Sequence, residues 1–452
     1  MQNLSGLPEI VTAHKRGSPV GIYSICSAHP FVLEAGMQQA LADGSPLLVE
    51  STSNQVNQEG GYTGMTPAGF RDYVWGLAGR YGLPRQRLIL GGDHLGPNPW
   101  RHEAAASATA KARALIAACV WAGYTKIHLD ATSRCADDPA GSPLDGSVTA
   151  RRAAELCLAA EEAHAAAAPR SSQAAPCYVI GAEVPPPGGA QEGEEKPAVT
   201  TVENARETID LTREAFRQRG LDAAWERVIA VVVQPGVEFG NDALFEYNRQ
   251  AAAQLSRFIE SYDRLVFEAH STDYQSRDAL RALVQDHFAV LKVGPALTFA
   301  FREAVFALAM MEAEWLSSRK GVELSEIRQV LDNAMLDNPV YWEKYYTGSE
   351  PTLQFARQYS LSDRARYYWP RPDVQRALAR LLDNLERFPV PPALLSQFLP
   401  VQYERVRAGV VENRPKALIH DKIRSVLADY THACSYARDI PGGCPGGHPQ
   451  QG

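Results

Sequence analysis

A (β/α)8 barrel (TIM barrel) with a C-terminal helical extension is the α/β fold this 452-residue sequence predicts, and three observations predict it. Short β-branched or apolar runs recur eight times between longer Ala-, Leu- and Arg-rich stretches, the pattern of strands alternating with helices in a parallel sheet. Most of these runs close on polar residues of metal-ligand or acid/base type, as barrel strands do where their C-terminal ends build a site. No G-x-G-x-x-G or Walker A motif occurs anywhere in the chain, so the usual signature of an open doubly wound sheet is missing.

In chain order the strands are expected at 20–26, 46–52, 87–94, 126–132, 177–184, 228–236, 265–273 and 288–294. VIAVVV (228–233) and LLV (47–49) are apolar at every position, which suits strands covered on both faces. Helices are expected at 104–122, 148–166, 203–219 and 242–261, each ending near a Gly or a turn signal, and a last one at 301–318 follows the eighth strand. Beyond about residue 320 the strand pattern stops, and Trp342, Tyr345, Tyr346, Tyr359, Tyr367, Tyr368 and Trp369 crowd a helical stretch. The organisation expected is a barrel over 1–320, a helical extension over 321–438 packed on it, and a disordered tail over 439–452. The Pro-, Gly- and Glu-rich segment 186–199 reads as a mobile loop.

With 45% hydrophobic and 21% charged residues the chain can form a large core, which excludes fibrous and disordered classes. Forty-five Lys and Arg against 52 Asp and Glu leave a net charge of -7, with no generic attraction for nucleic acid. No apolar run of 18 residues exists, so membrane insertion is not expected, and the N-terminus lacks a secretory pattern. Seven scattered cysteines without a C-x-x-C pair read as reduced thiols, consistent with a cytoplasmic location.

The expected strand ends carry Glu50, Asp93 and His94, His128 and Asp130, Glu183, Gln234, Glu268, His270, Asp273 and Lys292. Two imidazoles and a carboxylate from separate strands hold a divalent ion while leaving positions open for substrate oxygens. His94, Glu183 and His270, on alternate strands, are the expected ligands, and zinc is the expected ion. Asp93 and Asp130 are the candidates for acid/base work, with the choice between them open. Asp93 and His94 can reach one site only if the chain is already turning at Gly91, Gly92 and Gly96. For His128 a buried His paired with an Asp is the simpler reading, and for Lys292 an anion-binding or ion-pairing role is preferred to a Schiff base. The long loop NQVNQEGGYTG (54–64) supplies Asn54, Gln55, Gln58, Gly60 and Gly61 as expected substrate contacts, joined by Gln234, Asp273 and Lys292.

The segments NQVNQEGGYTGMTP (54–67), LGGDHLGPNPW (90–100), KIHLDATSRCADDP (126–139), VIGAEVPPPGG (179–189), VVVQPGVEF (231–239), FEAHSTDYQ (267–275), LKVGPALTFAFREAVFAL (291–308) and YSLSDRARYYWP (359–370) resemble the GatZ/KbaZ family, the second subunit of class II D-tagatose-1,6-bisphosphate aldolase. The resemblance implies a role in galactitol or N-acetylgalactosamine breakdown, where a ketose bisphosphate splits into two triose phosphates. It also implies a GatY/KbaY-type catalytic subunit as partner, which this chain would stabilise; a homo-oligomer is open too. From the related catalytic aldolases it carries over Asp93, His94, Glu183 and His270. Two positions depart from that catalytic pattern: Gln234 stands where a histidine ligand is expected, and Ser271, Thr272, Asp273 and Tyr274 replace a Gly-Gly-Ser phosphate loop. The same equipment suits three outcomes: retro-aldol cleavage, C4 epimerisation of a ketose or ketose 6-phosphate, or a scaffold without chemistry.

Overall fold

The computed structural model describes residues 6–139, 144–167, 174–181 and 197–435. Among the described residues there are ten strands: β1 (Ile22–Ile25), β2 (Leu47–Thr52), β3 (Leu88–Leu95), β4 (Lys126–Leu129), β5 (Cys177–Ile180), β6 (Val228–Val232), β7 (Glu238–Phe239), β8 (Leu244–Phe245), β9 (Val266–Ala269) and β10 (Val290–Val293). Eight of them close a parallel barrel in the order β1-β10-β9-β6-β5-β4-β3-β2. Each falls within or one residue beyond its expected segment. β7 and β8 form a separate antiparallel hairpin.

Side chains on a strand alternate between its two faces, and here the inward set is layered by depth. Leu48, Ile89, Val179, Ala230, Val266 and Val290 fill the lower barrel, where Leu7, Ile10 and Val11 of the helix Leu7–Lys15 plug the open end. One step higher the inward residues become charged: Glu50, Lys126, Glu268 and Lys292 are all buried. Outward-facing strand residues such as Leu47, Val49, Ile127 and Phe267 join the larger core beneath the surrounding helices. Those helices start where the local chemistry dictates. Thr66, Thr201 and Ser276 accept from the amides of Gly69, Asn204 and Ala279 at three N-termini, and Pro occupies the first turn of Pro67–Tyr81 and Pro295–Leu316.

The expected helix over 242–261 is corrected. Only Ala253–Glu260 is helical, because the preceding backbone is held by tertiary bonds. The Gln275 side chain accepts from the Tyr247 amide (2.9 Å) and donates to the Phe245 carbonyl (3.1 Å), and β8 pairs with β7.

After residue 320 the described chain is helical, with Ile327–Asp337, Glu350–Tyr359, Pro372–Arg387, Pro392–Phe398, Pro400–Arg407 and Pro415–Ala433. The last of these returns to the barrel, where Tyr430 Oη donates to the Thr272 carbonyl (2.8 Å) and Thr431 Oγ1 to Asp43 Oδ2 (2.9 Å). Asp363 anchors the segment before Pro372 on the helix that follows β10, through Thr298 Oγ1 (2.5 Å) and Arg302 Nε (3.3 Å). Among the described residues no helix is long and apolar enough to cross a membrane, and the six cysteines found there are free. The expected tail and most of the expected mobile loop lie outside the described residues.

Candidate metal centre at the barrel mouth

The end of β3 decides the geometry of the mouth. Its register against β4 shifts between Gly92 and Leu95, and His94 adopts φ 47°, so Asp93 and His94 both reach the cavity wall. Gly96 permits this: a Cβ there would lie 1.6 Å from the Asp130 carbonyl oxygen, so β3 and β4 approach closer than any other residue allows.

Three imidazoles converge. Ring centroids of His94 and His270 are 4.8 Å apart, those of His94 and His128 5.1 Å, and those of His128 and His270 5.4 Å. Asp93, His128, Glu268 and His270 offer ligand atoms that all lie within 4.8 Å of one another, and together could hold a metal ion. His94 Nδ1 is bound to Asp130 Oδ2 at 2.8 Å, which turns its Nε2 toward Asp93. A carboxylate behind an imidazole in this manner fixes the tautomer that can ligate a metal.

Beneath the imidazoles lies a charged layer. Lys126 Nζ is 2.7 Å from Glu50 Oε1 and 2.7 Å from Glu268 Oε2. Lys292 Nζ contacts Glu50 Oε2 and is 3.0 Å from Asp93 Oδ1. The carboxylates of Glu50, Asp93 and Glu268 thus face the ammonium groups of Lys126 and Lys292, and with Asp130 behind His94 the buried acids outnumber the lysines by two. Burial penalises the Asp93 carboxylate, yet Lys292, His94, His128 and His270 hold it well below the usual carboxylate range. Burial likewise opposes charge on Glu268, and Lys126, Lys292 and His270 overcome it. His94 is resisted by burial and still raised, through Asp93 and Asp130, whereas burial lowers His270 to about 4 and keeps it neutral.

A divalent cation fits this donor set. It matches the surplus charge, and His128 Nε2 is buried without a hydrogen-bond partner; with the ring proton on Nδ1, 3.1 Å from Asp93 Oδ1, that nitrogen can ligate a metal. Of the expected ligands, His94 and His270 come together here, while Glu183 lies outside the described residues. Among the described residues, Glu268 and His128 also belong to the buried group. His128 is also buried beside an aspartate, its Nδ1 3.1 Å from Asp93 Oδ1.

Above the centre opens a cavity of about 460 Å³, enough for a small polar molecule. Of the expected substrate contacts, Asn54, Gln55, Asp273 and Lys292 line it. Gln58, Gly60, Gly61 and Gln234 do not. Gln58 donates to the Lys111 carbonyl, and Gln234 Oε1 receives the amides of Gly236 and Val237. Unexpected wall residues are His29 from the loop after β1 and Arg366, Tyr367, Trp369 and Gln375 from the extension. His29 packs against Phe301 at 4.2 Å between ring centroids, and neither of its nitrogens has a hydrogen-bond partner.

Fold and mouth together define a (β/α)8 barrel of the metal-capable, small-ligand class. Its lineage is specific: the chain belongs to the D-tagatose-1,6-bisphosphate aldolase subunit GatZ/KbaZ-like family, whose model matches residues 7–435. It is 51% identical over 429 residues to the D-tagatose-1,6-bisphosphate aldolase subunits GatZ of Salmonella heidelberg (strain SL476) and Salmonella agona (strain SL483), an alignment covering 95% of this chain and 99% of each relative. A crystal structure described as a probable tagatose 6 phosphate kinase from Sinorhizobium meliloti 1021 superimposes with a TM-score of 0.83 at 45% identity, covering 92% of this chain and all of that one.

Proposed function

We propose that the protein is a GatZ/KbaZ-type component of D-tagatose-1,6-bisphosphate aldolase, working with a GatY/KbaY-type catalytic subunit in galactitol, N-acetylgalactosamine or tagatose catabolism. The near full-length identity to GatZ subunits carries this reading. The free cysteines fit a reducing, cytoplasmic setting.

We further infer that this barrel keeps a site for retro-aldol chemistry of its own. His94, His128, Glu268 and His270 would hold a divalent ion, zinc by preference, with the Asp93 carboxylate left beside it. Such an ion would supply Lewis-acid polarisation of a ketose carbonyl. Asp130 positions rather than transfers: Oδ2 is bound to His94, and Oδ1 receives the amide and hydroxyl of Thr132. Asp93 is the better proton carrier. Its Oδ1 is engaged by Lys292 and His128, while Oδ2 has His94 Nε2 no nearer than 3.9 Å. An ionised Oδ2 facing the cavity can take a hydroxyl proton as the adjacent carbon-carbon bond breaks, and return it afterwards. Lys292, held strongly protonated by its carboxylates despite burial, serves as their counter-ion and not as a Schiff-base amine.

Release of the aldehyde half makes the outcome aldolytic, and its rotation and recapture gives a ketose or ketose 6-phosphate 4-epimerase. The loop after β9 favours keeping this second reading, because Ser271, Thr272, Asp273 and Tyr274 stand where a Gly-rich phosphate loop would be expected. The deciding experiment incubates the metal-loaded protein alone with fructose 6-phosphate, tagatose 6-phosphate and tagatose 1,6-bisphosphate. Triose phosphate without a partner establishes an autonomous aldolase, and the C4 epimer alone selects the epimerase. Neither product, with partner activation intact after His94→Ala or His270→Ala, leaves a non-catalytic stabilising subunit.

A further inference from the structure

We propose that Asp273 is a built-in anion that closes the barrel's own phosphate site, so that this cavity takes a ketose whose end at that position is a free hydroxyl. The inference rests on reading the mouth as a ketose site and names its substrate class. Barrels of this kind frequently bind a phosphate between the loops after the seventh and eighth strands, at the N-terminus of a helix. Here those loops follow β9 and β10, and the helix is Pro295–Leu316. Its N-cap is Gly294, which has no side chain to satisfy the first turn. Asp273 does so from the neighbouring loop: Oδ1 accepts from the Gly294 amide at 3.0 Å and the Ala296 amide at 2.8 Å. These are the donors a phosphate oxygen would need.

The carboxylate is held in place from both sides. Ser271 and Tyr274 adopt φ 53° and 63°, conformations that non-glycine residues rarely take, and they bend the chain around it. Thr272 Oγ1 donates to the Lys292 carbonyl at 2.6 Å, and Tyr274 Oη to the Leu361 carbonyl at 2.6 Å. Asp273 is 3% exposed and still forms part of the cavity wall, which leaves Oδ2 to accept from a sugar hydroxyl. Burial raises its pKa to about 6 against the pull of the two amides and Arg366, so at pH 7.5 it is an anion.

The cations on the wall agree with this. Lys292 is ion-paired to Glu50 and Asp93. Arg366 has no carboxylate within ion-pair distance among the described residues, and donates to the carbonyls of Ser362 and Asp363 and to Tyr367 Oη. One spare guanidinium and one fixed carboxylate suit a ketose with at most one phosphate. Cleavage of a bisphosphate would then fall to the partner subunit's barrel.

The test is calorimetric binding at pH 7.5 of tagatose, tagatose 6-phosphate, tagatose 1,6-bisphosphate and inorganic phosphate to the wild type, Asp273→Ala and Asp273→Asn. The wild type should bind the better of the first two at least about tenfold more tightly than the bisphosphate. Asp273→Ala should narrow that gap by about tenfold and gain inorganic phosphate binding that the wild type lacks. Asp273→Asn, which keeps the shape and an acceptor for both amides, should narrow the gap through lost charge alone, and it decides the matter if the Ala variant does not fold. Sugars that bind with the same preference in all three proteins overturn the inference and leave the ketose reading standing. Phosphate captured by the Ala variant while no sugar binds the wild type removes the ketose reading and upholds the closed phosphate site. Bisphosphate preferred by the wild type, or no binding by any protein, overturns the inference.

Discussion

Lys126 is where the electrostatics of the barrel interior can be tested most directly. Its side chain is wholly buried, with Nζ 2.7 Å from Glu50 Oε1 and 2.7 Å from Glu268 Oε2. At an effective dielectric of 20 each contact amounts to about 6 kcal/mol of Coulomb attraction, set against the cost of desolvating three charges. Lys126→Met keeps the volume and removes the charge. Glu50 then retains Lys292, and Glu268 Oε1 retains His270 at 3.0 Å. Glu268 Oε2 has no other partner among the described residues. Removing one member of a buried pair costs about 3–5 kcal/mol, a large share of the roughly 5–15 kcal/mol that holds a typical domain folded. Urea denaturation of metal-free protein at pH 7.5 should show that loss, and the double variant Lys126→Met/Glu268→Gln should recover about half of it. A single-variant loss below about 1 kcal/mol would mean that water screens this layer, and the picture of a dry ionic platform under the imidazoles would be wrong.

Other outcomes follow from the same geometry. Asp130→Asn should weaken divalent-ion binding by about 10–100-fold with the fold intact, measured by titration of metal-free protein; unchanged affinity removes His94 from the ligand set. Gly96→Ala places a Cβ 1.6 Å from the Asp130 carbonyl and should cost at least about 1–3 kcal/mol together with metal affinity, read by melting and by the same titration. A wild-type-like melt would show that β3 and β4 can separate there. Burial lowers His14 to about 4 and His29 to about 3, below the unfolded value near 6.5, so each favours the native state above about pH 6.5 and that contribution fades as the pH falls toward the lowered values. Between pH 7.5 and 5 each should account for about 2 kcal/mol of lost stability, and His14→Gln should flatten the denaturation profile by that amount. A profile unaltered by the substitution would assign the acid sensitivity elsewhere.

How far this arrangement could be read from the chain depends on which interactions are local. The eight barrel strands were legible because apolar runs and turn signals are local, and so was the need for a turn at Gly91, Gly92 and Gly96, which appears as the β3 irregularity and the φ of His94. The helix expected over 242–261 was not, since the Gln275 side chain that holds 245–247 extended lies 28 residues beyond Tyr247. The same limit governs the site. Alternation puts Glu268 with His270 on one face, and His128 with Asp130 on another, but strand position alone does not give the depth at which residues from different strands meet. That depth is set by closure. Glu50 lies level with Gly91, and Gly91 with Lys126; a Cβ at Gly91 would lie 2.8 Å from Glu50 Cγ, so the glycine makes room for the acid that neutralises Lys126 and Lys292. Glu50 shares those ammonium groups with Asp93 and Glu268, whose carboxylates they keep ionised, and the surplus charge collects where the imidazoles are. The ligand capacity of His128, buried beside an aspartate, is therefore a property of the layer beneath it, which no strand-end motif carries by itself.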